Sequence, residues 1–369
     1  MKLIKYFTLA VATLAFAACG GDDATDGGTQ NASDIVLKAH NNSVEVNTPI
    51  HFSVIAADGT DLTADAIIFD KTNDYEEVSN PFTPTKDGEY IFFASVDNMI
   101  SQYLTVNVVP SIPALPADAE PGNTSFNHRI LLVDHTGNTC GNCPQMMLAL
   151  KEIMETEVTE GQVSYHDRFC EAMAHSYTTG DPAYSKAASI VSSHYGVTAY
   201  PTATYNFYHP TTSPQNAAHI KSQINSLWKA EGAEAGIAAS STVASTCVVV
   251  NTEVKAAVAN DYRITAWLLE DNIYGKQTNA TEDWMNYHDN AIRQRIVSDD
   301  ITGVDLGTIE AGKTATTTLT LKIDSDKWVR DNFKVLLIVS AKNAKGKFEV
   351  VNTVICPANE SVAYDYKKN

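Results

Sequence analysis

Two kinds of hydrophobic pattern alternate along this chain. From Asp34 to Val109 the apolar positions recur every second residue or in short runs. Val44 to Ile55 alternates around Pro49, Ile67 to Phe69 is apolar, and Tyr90 to Ser95 and Tyr103 to Val109 are β-rich. Asp58-Gly59 and Asp87-Gly88 separate them as turns. Pro110, Pro113, Pro116 and Pro121 then mark a semi-rigid linker, 110–127. Beyond it the pattern changes. Ile130 to Val133 is a solid apolar run, as in a buried strand, and Gln145 to Glu157 places Met146, Leu150, Ile153 and Met154 at helical spacing. Gln162 to His166 is expected as a second strand, with helices over 183–194 and 214–231. From Ala233 the period of two returns. Strands are expected over Ala235 to Ala239, Thr246 to Asn251, Tyr262 to Glu270, Thr316 to Ile323, Lys334 to Ser340 and Phe348 to Ile355.

The expected organisation is multidomain α/β plus all-β. A signal peptide spans 1–18, a tether 19–33, a small β-sandwich 34–109, the linker 110–127, an α/β domain 128–232, a C-terminal β-sandwich 233–357 and a tail 358–369. The chain of 369 residues suits two or three cores, and its composition, 44% hydrophobic and 19% charged, is globular. The net charge of −18 argues against nucleic acid and anionic membrane surfaces as partners.

The N-terminus reads as an export signal. Lys2 and Lys5 precede the apolar run Phe7 to Phe16, which is too short to span a bilayer. Ala17-Ala18-Cys19 resembles a bacterial lipobox, with Phe16 an unusual residue at its first position. The resemblance implies acylation of Cys19 (palmitate among the chains) and anchoring in a membrane. Gly20-Gly21-Asp22-Asp23 resembles the export signal of surface-exposed lipoproteins and leans the location to the outer face of the outer membrane.

The chemistry concentrates in Val133-Asp134-His135-Thr136-Gly137-Asn138-Thr139-Cys140-Gly141-Asn142-Cys143-Pro144. A C-x-x-C pair at a strand-to-helix junction is a redox arrangement. Cys140 is expected at the helix N-terminus, where free N–H groups favour a thiolate, with Cys143 close enough to resolve a mixed disulfide. Gly196-Val197-Thr198-Ala199-Tyr200-Pro201-Thr202 opens a second β-rich run. Here the chain resembles the thioredoxin superfamily. That resemblance implies a cis bond before Pro201 and makes Asp134, six residues before Cys140, the buried acid that moves protons for Cys143. Cys140, Cys143, Asp134 and Pro201 are thus the catalytic candidates. Thr139 stands where thioredoxins carry Trp, Gly141-Asn142 lies between the cysteines, an insertion is expected within 168–190, and the short last strand of the family sheet is not visible between Tyr208 and Ile220.

Lys86-Asp87-Gly88-Glu89-Tyr90 resembles the tyrosine corner of immunoglobulin-like sandwiches, with Lys86 where Asp belongs. Such a domain binds a glycan or protein partner, or is a spacer. The region from about 128 to 356 resembles the outer-membrane-protein-28-related lipoproteins through Cys140-Gly141-Asn142-Cys143-Pro144, Tyr200-Pro201-Thr202, Leu268-Leu269-Glu270-Asp271, Gln277, His288, Asn290, Arg293 and Asn352. The resemblance implies an outer-membrane surface lipoprotein without supplying a reaction. Gln277, His288, Asn290 and Arg293 would line an interdomain contact or ligand groove, or cap strands.

An exported location lets Cys247 pair with Cys356, with Cys170 left over and other pairings open. A zinc set drawn from the two motif cysteines and His135, His166, Cys170 or His175 lacks a supporting second ligand pair, so no metal is expected. No nucleotide, flavin or haem motif appears, so no cofactor is expected. Two functions follow: thiol-disulfide exchange with an extracytoplasmic partner, or a non-catalytic binding lipoprotein whose C-x-x-C is a structural staple.

Overall fold

The computed structural model describes residues 34–210, 216–296, 298 and 300–368. The expected signal peptide, Cys19 and the tether lie outside them.

In the N-terminal unit, strands Ile35–Ala39 and Phe52–Ala56 pair antiparallel. Facing them is a sheet in the order Ser43–Glu45, Leu104–Val109, Gly88–Val96, Ile67–Asp70, Glu76–Val78, with Met99–Ile100 added against Gly88–Val96. The alternating side chains meet in a core that includes Ile35, Val54, Ile68, Phe92 and Val106. The run from Val44 to Ile55, which alternates around Pro49, falls in two strands. Asn47 adopts a left-handed φ of 65°, and Pro49 cannot donate to a ladder. The Tyr90 hydroxyl donates to Lys86 O at 3.1 Å across the turn.

The proline-rich linker is docked. Lys255, 2% exposed, donates through Nζ to Asp118 Oδ2, Pro121 O and Tyr366 OH. Phe126 stacks on Tyr366 beneath it. A buried ammonium requires this many acceptors, so the strap and the β-sheet it crosses hold each other.

The rest of the chain is built on a nine-stranded sheet. Its order is His209–Pro210, Thr202–Tyr205, Ile130–Thr136, Phe169–His175, Ala291–Arg295, Asn260–Glu270, Phe333–Lys342, Phe348–Pro357, with Val304–Ile309 paired to Asn260–Glu270. The chain passes the expected boundary at residue 232 without ending this sheet. Ala291–Arg295, absent from the sequence reading, lies parallel to Phe169–His175 and antiparallel to Asn260–Glu270, and so joins both halves. On one face of the first half lie helices Cys143–Met154 and Ala217–Leu227, packed on Ile130, Leu132, Ala203 and Tyr205. On the other lies Lys186–His194, packed with Leu131, Val133, Ala172 and Ala174. The second half faces a four-stranded sheet, Thr314–Lys322, Cys247–Ala256, Ala235–Val243, Ser361–Val362.

Four local expectations change. The second strand is Phe169–His175, because Tyr165–Asp167 forms a 3-10 turn, and this places Cys170 within the sheet, buried. Of the span 168–190, where an insertion is expected, the strand Phe169–His175 and the helix beginning at Lys186 leave only 176–185 as loop. A strand only two residues long, His209–Pro210, pairs with Thr202–Tyr205 where none was visible in the pattern. Cys247 and Cys356 are free thiols. They lie on the two opposed sheets, Cys247 opposite Lys322 and Cys356 opposite Val335, and the Cys356 thiol turns to the carbonyls of Pro357 and Glu360.

Candidate functional site

Every residue of Ile130–Thr136 is buried, which fixes the strand in the middle of the first half of the sheet. Alternation puts Asp134 on the same face as Leu132, under the helix that follows the cysteines. Asp134 is 0% exposed, and neither carboxylate oxygen has a hydrogen-bond partner. Burial first, then the nearby charge of Glu171, raises its pKa well above 3.8, which favours the neutral acid. Glu171, on the neighbouring strand, is itself raised to about 7 by burial. The Tyr205 hydroxyl, whose pKa burial and Asp134 both raise, also lacks a partner.

The strand leads into Gly137. A Cβ there would lie 2.6 Å from Tyr177 Cβ, so only glycine lets the 176–185 loop lie this close. Cys140 and Cys143 form a disulfide with Cα atoms 5.4 Å apart. The helix begins at Cys143, with Pro144 in its first turn, so Cys140 stands just ahead of the helix rather than at its first position. The Tyr200–Pro201 bond is cis. Thr202 pairs with His135, which puts Pro201 at the level of Thr136, where the strand enters the cysteine loop.

Two covers close the loop. From the 176–185 side, Asp181 Oδ2 accepts from Asn138 N at 2.7 Å and contacts His175 Nδ1 at 2.8 Å. These contacts hold Asp181 near pKa 2 against its burial. His175 is wholly buried, its Nε2 lacks a partner, and its ring meets His288 edge-on at 4.7 Å. His288, lowered to about 4 by burial, contacts Gly275 O through Nε2 at 2.9 Å.

The second cover is 276–279. Thr278 N donates to Asn138 O at 2.7 Å, Gln277 Nε2 to Cys140 O at 2.9 Å, and Asn279 Nδ2 to Gly141 O at 3.0 Å. Cys140 is left 3% exposed and Cys143 0%. The cover is imperfectly satisfied, because Asn138 Oδ1 and Gln277 Oε1 are buried without partners. Three hydrogen bonds at about 0.5–1.5 kcal/mol each are set against two stranded acceptors at about 1–3 kcal/mol each. The polar contacts of this cover are therefore near balance among themselves.

The remaining candidates separate. His135 is on the opposite face between Ser192 Oγ and Thr204 Oγ1, neutral with a pKa near 3 from burial. His166 is at an exposed turn against Asp167, and Cys170 is in the sheet with its thiol pKa raised by burial. Among the described residues no three His, Cys, Asp or Glu side chains form a metal-binding group. Of the family-pattern residues, Gln277 meets the cysteine loop, whereas Arg293 pairs with Glu270 at 2.6 Å and Asn352 ties Arg129 N to Ala235 O. The 276–279 cover is not legible in the sequence because its contacts are polar and distant along the chain; Gln277, through the family pattern, is its one legible member.

Comparison with known proteins locates the likeness unevenly. A family model described as Outer membrane protein Omp28 matches residues 188–359, just under half of the chain. The match takes in Pro201, the joining strand and the cover, but stops short of the cysteine pair. HBP35 of Porphyromonas gingivalis is similar in fold, with a TM-score of 0.52 over 67% of this chain and 80% of that one, at 16% identity. No curated protein sequence matches.

Proposed function

We propose that this chain is an exported, outer-membrane lipoprotein whose Cys140–Cys143 pair exchanges with thiols or disulfides of an extracytoplasmic protein. The observation that carries the reading is Asp134. A carboxyl buried with no partner adds nothing to stability, and such groups concentrate where protons are moved. Strand, cysteine loop, helix and a cis X-Pro bond on the adjoining strand support a thioredoxin-like unit within 128–232. The Omp28 match supports the outer membrane. Cys19 would carry the lipid there, on the cell-surface side, and the 34–109 unit would be an immunoglobulin-like spacer.

In the reaction a partner thiolate attacks Cys140 Sγ and the Cys140–Cys143 bond breaks. Cys143 leaves as a thiolate and takes its proton from neutral Asp134. A second partner thiolate displaces Cys140, so two electrons enter the pair and the partner leaves as a disulfide. Pro201 shapes the groove beside Cys140.

The test is the equilibrium reduction potential of the pair. A value between about −120 and −270 mV is expected; one below about −300 mV marks a structural disulfide and ends the exchange reading. Reduced Cys143→Ser should then trap a partner as a mixed disulfide at Cys140.

One observation favours a second reading. Cys140 is almost wholly covered. On that reading the disulfide staples the loop, and the two β-rich regions bind a glycan or protein.

A further inference from the structure

The cover over Cys140 belongs to a unit with its own boundaries. Between Asn260–Glu270 and Ala291–Arg295, both in the nine-stranded sheet, the chain leaves and returns. Within this excursion Ile273–Tyr274 and Tyr287–His288 pair only with each other. Its neck is closed by Asn272 N to Asp289 Oδ1 at 2.8 Å and Asn290 N to Asp271 Oδ1 at 2.7 Å. Asn272 and Asn290, at the two ends, have left-handed φ of 57° and 55°. Inside, Gly275 N donates to Asn286 O, and Gln277 N to Asn286 Oδ1. The tip makes the three donations to Asn138, Cys140 and Gly141, with the exposed Lys151–Glu282 pair at 3.6 Å and Lys151 over Trp284 beside them, while the base packs through Ile273 on Ala183 and Ala291 and through His288 edge-on to His175. In a hairpin bonded within itself and packed at its base, the 276–279 tip, held on the loop by polar contacts alone, can swing away without breaking the sheet.

We propose that the tip of the 272–290 hairpin is a lid on the cysteine pair and that exchange proceeds only when it lifts. The proposal rests on the exchange reading and explains how a covered disulfide serves it. Every direct tip contact on the loop is a donor meeting a backbone carbonyl. The lifted state therefore offers Asn138 O, Cys140 O and Gly141 O as a row of acceptors to the N–H groups of an extended polypeptide. Gly141 makes the fit sensitive, because a Cβ there would come within 2.9 Å of Asn279 Nδ2.

The test uses dithiothreitol on the full chain with its free thiols blocked. One dithiothreitol thiolate attacks Cys140 Sγ and expels Cys143. The other closes the ring, releasing Cys140 and oxidised dithiothreitol. Gln277→Ala with Asn279→Ala should speed this reduction at least tenfold, and Gly141→Ala should speed it in the same direction. The equilibrium potential and the urea midpoint should both hold. Unchanged rates in both variants overturn the lid, as does an acceleration matched by a lower urea midpoint. A potential in the structural-disulfide range for every form, with the variants still faster, ends the exchange reading and leaves the lid standing.

Discussion

Two acidic side chains are buried in the same nine-stranded sheet, and the chain treats them in opposite ways. Glu270, 2% exposed, closes the strand Asn260–Glu270, and every charge it brings is answered. Its Oε2 accepts from Arg293 Nε at 2.6 Å and its Oε1 from Val329 N at 2.8 Å. Arg293 spends its next donor on Pro182 O at 3.0 Å, so the pair also pins the loop that covers the cysteines. Asp134, 0% exposed in the strand Ile130–Thr136, receives nothing. A paired buried charge is architecture, whereas an unpaired buried acid persists through its neutral form and keeps a proton to give. Burial alone therefore says little about role; the partners decide.

The sharpest way to break the comparison is at its paired side. Arg293→Ala leaves the Glu270 carboxylate uncompensated and should cost about 3–5 kcal/mol of unfolding free energy, read by urea denaturation. A loss under about 1 kcal/mol would mean that the pair is not structural, and the contrast would fall.

Asp134→Asn strikes the unpaired side. It should slow exchange by about a hundredfold, equivalent to about 2.7 kcal/mol, measured as dithiothreitol reduction at neutral pH. Its effect on stability has a definite sign. The folded pKa of Asp134 is raised above 3.8. The site therefore costs least below the ordinary carboxylate range, and stability is lost as pH rises from there through the folded value. Asparagine carries no such loss. The stability of the variant relative to the parent should climb above about pH 4 by at most about 1.4 kcal/mol per unit. Glu171, raised to about 7, pulls the same way in both proteins and largely cancels in the difference. A flat difference profile would mean that Asp134 is ionised when folded.

How far this contrast could be read in advance depends on where each contact lies. Ile130 to Val133 is apolar, and Met146, Leu150 and Ile153 repeat at helical spacing, so the strand and helix framing the cysteines are visible in the residues themselves. Ala291–Arg295 is not visible. The family pattern marks Arg293 as a contact, groove or capping residue, but its buried partner Glu270 lies more than twenty residues earlier and Pro182 more than a hundred, so no local pattern reveals the strand. The lid is hidden for the same reason, since Gln277 and Asn279 act through backbone carbonyls of a loop far back in the chain. Cys247 and Cys356 misled in the opposite direction. An exported chain permits a disulfide, but their sheet positions direct the thiols elsewhere. Periodicity reports which face is buried; it does not report which polar groups meet across the fold.

The smallest effect probes what surrounds the unpaired acid. Tyr205, 0% exposed, keeps its hydroxyl without a partner near Asp134. If both groups are unpaired in the folded chain, Tyr205→Phe removes an unsatisfied donor while keeping the ring that packs with Leu132 and Ile220. Stability should then stay within about 1 kcal/mol of the parent or rise, because deleting an orphaned polar group avoids its desolvation cost. A loss of about 2 kcal/mol would show that the hydroxyl answers Asp134 after all. The acid would then be a hydrogen-bonded structural group like Glu270, and the argument that its isolation marks function would no longer hold.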